Sequence, residues 1–240
     1  MRRGSFAAAN RTVFRQKRAQ ANWYTLSITD PTGSISKSCA DSTNMGIEKF
    51  PQFIRENYEV HEWRHAIAIL QTDFPSEFSD VVSVLSNLRL RRSWIEVGGG
   101  NKTHLAKWID HELRQRGWSP KKFDTKITVD GKSAESPTHE VDCFKNQVAL
   151  ELEWNNKDPF FDRDLNNFRL LFDLRTVSVG IILTRCDELQ GIFNELGRGS
   201  SYGNSTTHMS KLLPRIKGGG GAGCPLLVFG MKKTLYDPNS

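Results

Sequence analysis

The sequence has little cysteine, and its few cysteines are not spaced for pairing. The four residues, Cys39, Cys143, Cys186 and Cys224, are far apart and form no C-x-x-C pair. A disulfide framework or a zinc ribbon requires cysteines at close, regular spacing. The sequence therefore predicts free thiols in a reducing compartment.

Long apolar runs are also absent from the sequence. No stretch approaches the ~18–20 apolar residues that a membrane helix needs, and no apolar segment follows the arginines at the start of the chain. We therefore expect neither a membrane partner nor a secretory signal. The glycine run at Gly98–Asn101 matches neither G-x-x-x-x-G-K-[ST] nor G-x-G-x-x-G, and it predicts a turn into a helix instead.

Positive charge is in excess. The 33 lysines and arginines outnumber the 27 acids, which gives a net charge of +6 and a pI near 9.2. A basic balance favours an anionic partner, with nucleic acid as the first candidate. The charge alone leaves open a mildly basic protein without such a partner.

The chain divides into two parts of different composition. Residues 1–44 are basic, then rich in Ser, Thr, Gly and Asp, and they show no persistent helical or strand period. We predict a flexible basic extension over 1–44, dispensable for folding and cleavage, and one domain over 45–240. Contact of the extension with DNA phosphates and absence of any function both remain open.

Helical and strand patterns alternate through the predicted domain. Helical spacing covers 61–70, 78–88, 103–116, 164–174 and 186–196, and strand patterns cover 123–129, 140–154, 176–184 and 225–231. A strand, a helix and a further buried strand form a crossover unit. The order predicts an α/β fold with a central mixed β-sheet of about five strands and helices on both faces.

The residues between Glu140 and Trp154 predict a β-hairpin turning at Asn146-Gln147. If Lys145 faces Val148, then Asp142 faces Glu151 and Glu140 faces Glu153. Residues two apart share a face of a strand. The count places four acids on one face, and it places Val141, Cys143, Leu150 and Leu152 together on the other.

Opposed like charges destabilise a sheet, so this acidic face needs an explanation. A Mg²⁺ ion held by carboxylates is one, because Mg²⁺ prefers oxygen ligands and assists phosphate chemistry. A solvated acidic face with nothing bound is the other. The hairpin alone leaves both interpretations open.

A longer pattern carries a family resemblance. Asp142, followed nine positions later by Glu151-Leu-Glu153, resembles the PD-(D/E)xK nuclease core, with Glu153 at the lysine position. The segments 151–169 and 177–185 resemble the BglII-type restriction endonucleases. The resemblance covers about 95–184, and more loosely the rest after Met45.

The resemblance implies a homodimeric, Mg²⁺-dependent type II endonuclease that cuts double-stranded DNA at a short palindrome centred on GATC. It implies Asp142 and Glu151 as metal ligands and Glu153 as a catalytic residue that orients or deprotonates water. The related BamHI-like enzymes also carry Glu at this last position. A cytoplasmic prokaryotic location and a cognate DNA methyltransferase as genetic partner follow from the same resemblance.

Several polar residues are candidates for DNA contact. Asn155 and Asn156 follow the catalytic strand where the family contacts bases, and asparagine pairs well with adenine; an Asn-Asn turn is the alternative. Lys121 stands near the family's additional site residue, which is Asn. The remaining candidates are Arg163, which either contacts phosphate or pairs with neighbouring acids, and Arg198 and Asn204 in a polar loop.

Two other functions are compatible with the same pattern. One is a repair or junction nuclease of this fold, which a preference for branched DNA would reveal. The other is a DNA-binding module with an inactive site, which binding without cleavage in Mg²⁺ would reveal. Four acids at the expected positions argue against the second.

Overall fold

The computed structural model describes residues 46–97, 102–136 and 138–240, so the predicted extension over 1–44 and the Gly98–Asn101 turn lie outside the described residues. The helices are α1 Gln52–Asn57, α2 Ala66–Asp73, α3 Pro75–Asn87, α4 Arg92–Glu96, α5 His104–Arg114, α6 Phe160–Asp173, α7 Leu189–Glu195 and α8 Met209–Lys217. The strands are β1 Tyr58–Trp63, β2 Leu90–Arg91, β3 Ser119–Lys121, β4 Thr125–Val129, β5 Lys132–Ser136, β6 Val141–Lys145, β7 Val148–Leu152, β8 Val179–Arg185, β9 Leu226–Met231 and β10 Tyr236–Asp237. Short 3₁₀ helices cover Ile47–Lys49 and Lys233–Leu235.

A mixed sheet of six strands, in the order β1-β9-β8-β7-β6-β3, forms the centre of the fold. Strands β7, β8 and β9 run parallel, while β1, β6 and β3 pair antiparallel with their neighbours. Helix α6 connects β7 to β8, as the predicted crossover requires. The α/β prediction is confirmed, with one strand more than the roughly five expected.

Helices cover both faces of this sheet. Along β8, Ile181 belongs to a core cluster shared with α2, α3 and α5, and Ile182 belongs to a second cluster shared with α6 and α8. Every residue of β7, β8 and β9 is buried. Burial on both faces explains why these strands are largely apolar rather than alternating; Glu151, Thr184 and Arg185 are buried polar exceptions.

The first strand corrects a helix prediction. Helical spacing predicted a helix over 61–70, whereas Tyr58–Trp63 is an edge strand in register with β9 along its whole length. Arg64 and His65, with φ values of 55° and 59°, then turn the chain into α2. Pairing with a distant strand overrides local spacing here, because strand formation depends on cross-strand packing.

The predicted hairpin forms as β6 and β7. Lys145 pairs with Val148 and Cys143 with Leu150, which is the predicted register. Asn146 and Gln147 both have positive φ, 44° and 67°, as a tight two-residue turn requires. The turn is fixed to α3, because Lys145 donates to Asp80 at 2.8 Å and Asn146 Nδ2 donates to Glu77 at 2.8 Å.

The outer end of the hairpin differs from the prediction. The positions from Val141 to Phe144 lie opposite the shorter stretch from Ser119 to Lys121, so β6 contains an extra residue. This bulge turns Val141 into the cluster beneath α6 and α8, away from the cluster that holds Cys143. Val141 was therefore wrongly placed with Cys143.

The predicted opposition of Glu140 and Glu153 is also wrong. Within the described part of the hairpin, the β6–β7 ladder ends at Cys143 and Leu150. Glu140 precedes β6 and is exposed, while Glu153 follows β7 and donates its N–H to Leu183 of β8. Only two of the four acids therefore lie on the hairpin strands themselves.

At Gly180, α6 packs closely against the sheet. A Cβ atom at this position would lie 2.6 Å from the Phe168 ring and 2.9 Å from Leu226. We expect Gly180→Ala to destabilise the fold by about 1–3 kcal/mol, because packed neighbours must move. Chemical denaturation measures the change in free energy of unfolding.

The matched control is Gly191→Ala in α7, where an added Cβ meets no atom within 4 Å. This change should stabilise the protein by roughly 0.5–1 kcal/mol, because alanine favours helix. Equal free energies of unfolding for the two variants would show that α6 does not pack on β8 as described.

Candidate active site

Asp142 and Glu151 lie side by side on β6 and β7. The backbone N–H of Asp142 donates to Glu151 Oε2 at 3.2 Å, and the N–H of Leu152 donates to Asp142 Oδ2 at 3.1 Å. The bonds link each carboxylate to the backbone of the other strand. These two bonds hold both side chains within the hairpin.

Glu151 lies beneath α6 and has no exposed surface. Glu153 is 1 % exposed, and Asp164 of α6 is fully buried near both. Burial of this kind excludes a solvated acidic face at Glu151 and Glu153. Carboxylates are almost never buried unless they are paired or bind metal.

Arg163 and Asn156 contact Glu153 from two sides. Arg163 Nη2 lies 3.3 Å from Glu153 Oε1, and Asn156 Nδ2 donates to Glu153 Oε2 at 3.0 Å. The same guanidinium group donates to Asp164 Oδ1 through Nε, at 2.9 Å, and through Nη2, at 2.8 Å. Arg163 therefore bridges the strand end and the helix.

Two buried carboxylate oxygens have no partner. Glu151 Oε1 and Asp164 Oδ2 accept no hydrogen bond, although their other oxygens do. A buried polar atom without a partner costs about 1–3 kcal/mol, and more when the group is charged. Both oxygens are therefore available to accept a hydrogen bond from a further donor or to bind a cation.

Burial raises the pKa of Glu151, and the nearby charges of Asp164 and Asp142 raise it further. Burial and then the Asp164 charge raise the pKa of Glu153, and burial raises that of Asp164. Burial followed by the Arg163 charge lowers the pKa of His139. The carboxyl groups of Glu151, Glu153 and Asp164 are therefore harder to ionise than the same groups in water.

His139 joins this cluster from the segment before β6. One ring nitrogen of His139 and one carboxylate oxygen each of Glu151 and Asp164 lie within 4.8 Å of one another, a separation suited to a metal ion. Asp142 lies outside this group of three. The structure thus places the predicted Glu151 with two residues that were not predicted for the site.

The sequence carries a signal for the burial of Asp164. Phe161, Leu165 and Phe168 are the inward positions of α6, and Asp164 follows Phe161 by three residues, on the same face of the helix. The neighbouring Arg163 predicts Asp164 only as a surface ion-pair partner. His139 carries no such signal, because it precedes a strand and reaches the site only through the tertiary fold.

Comparison with known protein families gives one match. The family model described as restriction endonuclease BglII/BglIII matches residues 58–231, from the start of β1 to the end of β9. The chain belongs to the BglII family of restriction endonucleases. No curated protein sequence matches it. Membership in this family implies nuclease activity, which is the hydrolysis of phosphodiester bonds.

In this BglII-family chain, the six predicted DNA-contact residues differ in their burial and in their contacts with Glu153. Asn156 is exposed and bound to Glu153, and Arg163 lies inside the acidic cluster. Asn155 is half-buried, with an unpartnered amide oxygen. The others are Lys121, exposed on β3, Arg198, half-buried, and Asn204, exposed.

The two loops that were predicted to contact DNA are joined. Thr207 N–H donates to the Asn156 carbonyl at 2.9 Å, and Lys157 forms an antiparallel bridge with Thr206. Buried Arg185 at the end of β8 supports the second loop by donating to the Tyr202 carbonyl and to Thr206 Oγ1, each at 2.9 Å. The polar loop over 197–207 is therefore anchored beside the segment that follows β7.

The described helices contain no segment with the length and hydrophobicity of a membrane span.

Proposed function

We propose that this protein is a type II endonuclease that hydrolyses phosphodiester bonds of double-stranded DNA at a short palindrome with the help of Mg²⁺. One observation carries the proposal: a fully buried Glu151 with an unpartnered oxygen adjoins Asp142 on the hairpin of a BglII-family chain. Carboxylate oxygens are the protein ligands that Mg²⁺ prefers. The donor set therefore fits the ion.

Asp142 and Glu151 would hold the ion. A bound Mg²⁺ lowers the pKa of water and offsets charge that develops on the phosphate. Glu153 is held by Arg163 and Asn156, and its raised pKa makes it a stronger base once it is ionised. Glu153 therefore orients the attacking water and accepts its proton.

Base recognition would come from the joined loops. Asn155 and Asn156 follow Glu153 directly, and the loop that contains Arg198 and Asn204 is anchored beside them. A palindromic site, with GATC at its centre, matches a two-fold homodimer. A cell that makes such an enzyme needs a cognate DNA methyltransferase to protect its own sites.

Digestion of a defined plasmid tests the function. In Mg²⁺ the full chain should give discrete fragments whose sequenced ends all lie in one palindrome, and EDTA should prevent cutting. Binding without cutting would indicate an inactive DNA-binding module. Preferential cutting of a branched substrate would indicate a junction or repair enzyme.

Asn156 links recognition to chemistry, because the same side chain is exposed and bound to Glu153. We expect Asn156→Ala to cost about 1–3 kcal/mol of binding to the cognate site and to relax specificity at one base. Lys121→Ala, the matched comparison, should weaken all sequences alike and lower the salt slope by about one.

Binding is measured in Ca²⁺, in place of Mg²⁺, across single-base variants at several salt concentrations. If Asn156→Ala loses affinity equally for every single-base variant of the DNA, Asn156 does not recognise a base and serves only to position Glu153.

A further inference from the structure

The cluster of His139, Glu151 and Asp164 brings together three elements that are separate in the sequence. His139 precedes β6, Glu151 lies on β7 and Asp164 lies in the second turn of α6. One potential ligand atom from each lies within 4.8 Å of the other two. The three potential ligand atoms therefore converge on one location from three separate segments of the chain.

Each carboxylate of the cluster uses one oxygen for the protein and leaves the other unpartnered. Glu151 Oε2 accepts from the Asp142 backbone, and Asp164 Oδ1 accepts from Arg163. Glu151 Oε1 and Asp164 Oδ2 are buried without a hydrogen-bond partner. A cation between the two side chains would satisfy both oxygens, whereas one water molecule would leave the negative charge uncompensated.

The protein itself does not supply enough positive charge. Arg163 pairs with Glu153 and Asp164. Among the described residues, no lysine or arginine forms an ion pair with Glu151. With Asp142 adjacent, four acids face one guanidinium group. Once these acids are ionised, a bound cation would balance their charge.

We propose that His139, Glu151 and Asp164 form a divalent-metal site with one nitrogen and two oxygen ligands, which binds Co²⁺ more tightly than Mg²⁺. The proposal deepens the proposed function and rests on it, because Glu151 is shared with the Mg²⁺ ligand pair. Imidazole suits the later transition metals, while all-oxygen sites suit Mg²⁺. His139 would therefore set the metal preference of the site.

Metal titrations of the full chain test the assignment. Calorimetry measures the affinities for Co²⁺, Mn²⁺ and Mg²⁺, and the visible absorption of Co²⁺ reports a nitrogen ligand. We expect His139→Ala to weaken Co²⁺ binding by more than the roughly 10–100-fold typical of outer-shell substitutions. Mg²⁺ binding should change little, and Asp164→Asn should weaken all three ions.

The matched control is His61→Ala on β1, which lies three strands away from β7 in the sheet and should leave every affinity unchanged. A second measurement uses the unaltered protein: bound Mn²⁺ should broaden the NMR signals of the His139 ring far more strongly than those of the His61 ring, because the effect falls steeply with distance. This measurement decides the question even if a variant fails to fold.

Unchanged Co²⁺ binding in His139→Ala, together with its loss in Glu151→Gln, would overturn the mixed site and leave the Mg²⁺ proposal standing. A His139 ring untouched by bound Mn²⁺ would overturn it equally. Absence of any divalent binding by the unaltered protein, with no cleavage, would instead overturn the proposed function together with the mixed site.

Discussion

Replacement of Glu151 by glutamine is expected to abolish DNA cleavage while the protein stays folded. Glutamine keeps the shape and can still accept from the Asp142 N–H, but it removes the charge that binds the cation. Loss of a metal-bound reaction path removes several kcal/mol of transition-state stabilisation, which corresponds to a fall of at least about 10³-fold in rate. Single-turnover cleavage of a cognate oligonucleotide measures the fall, and circular dichroism checks the fold.

Glu140→Gln is the matched control for this change. Glu140 belongs to the same acidic stretch of sequence, yet it is exposed and precedes β6. Its replacement should leave the cleavage rate unchanged, whereas Asp142→Asn should behave like Glu151→Gln. Near-normal cleavage by Glu151→Gln would remove Glu151 from the chemistry.

The metal-free protein is expected to lose stability as the pH rises. Burial raises the pKa values of Glu151, Glu153 and Asp164, so the folded state holds more protons than the unfolded state. Stability from this source is present below the unfolded pKa values and is lost as pH rises through the folded ones. For Glu153 the window runs from 4.5 to about 9. The loss is on the order of a few kcal/mol, at roughly 1.4 kcal/mol per pKa unit.

Chemical denaturation in EDTA between pH 5 and pH 9 measures this effect. Glu151→Gln should reduce the loss, because glutamine cannot ionise, and the Glu140→Gln control should not. Added Mg²⁺ should stabilise the unaltered protein more at pH 9 than at pH 5, since metal ligands must be deprotonated. A metal-free stability that increases steadily to pH 9 in the unaltered protein and in Glu151→Gln alike would show that these carboxylates ionise without cost.

The sequence by itself determined the features that depend on local pattern. The alternation around Asn146-Gln147 predicted the hairpin and its register, because a two-residue turn leaves few ways to pair the strands. The strand, helix and strand over 148–185 predicted parallel β7 and β8 joined by α6. The same residues carried the family resemblance, which the match over 58–231 confirms.

Only the tertiary structure decided which residues surround the acids. Asp164 and His139 reach Glu151 because α6 packs over β7 and the segment before β6 approaches the same point, contacts that no local spacing records. Tyr58–Trp63 is a strand because β9, at the other end of the domain, pairs with it. Val141 faces α6 because the bulge in β6 is set by pairing with β3. These features arise from contacts between distant segments, and such contacts exist only once the chain has folded.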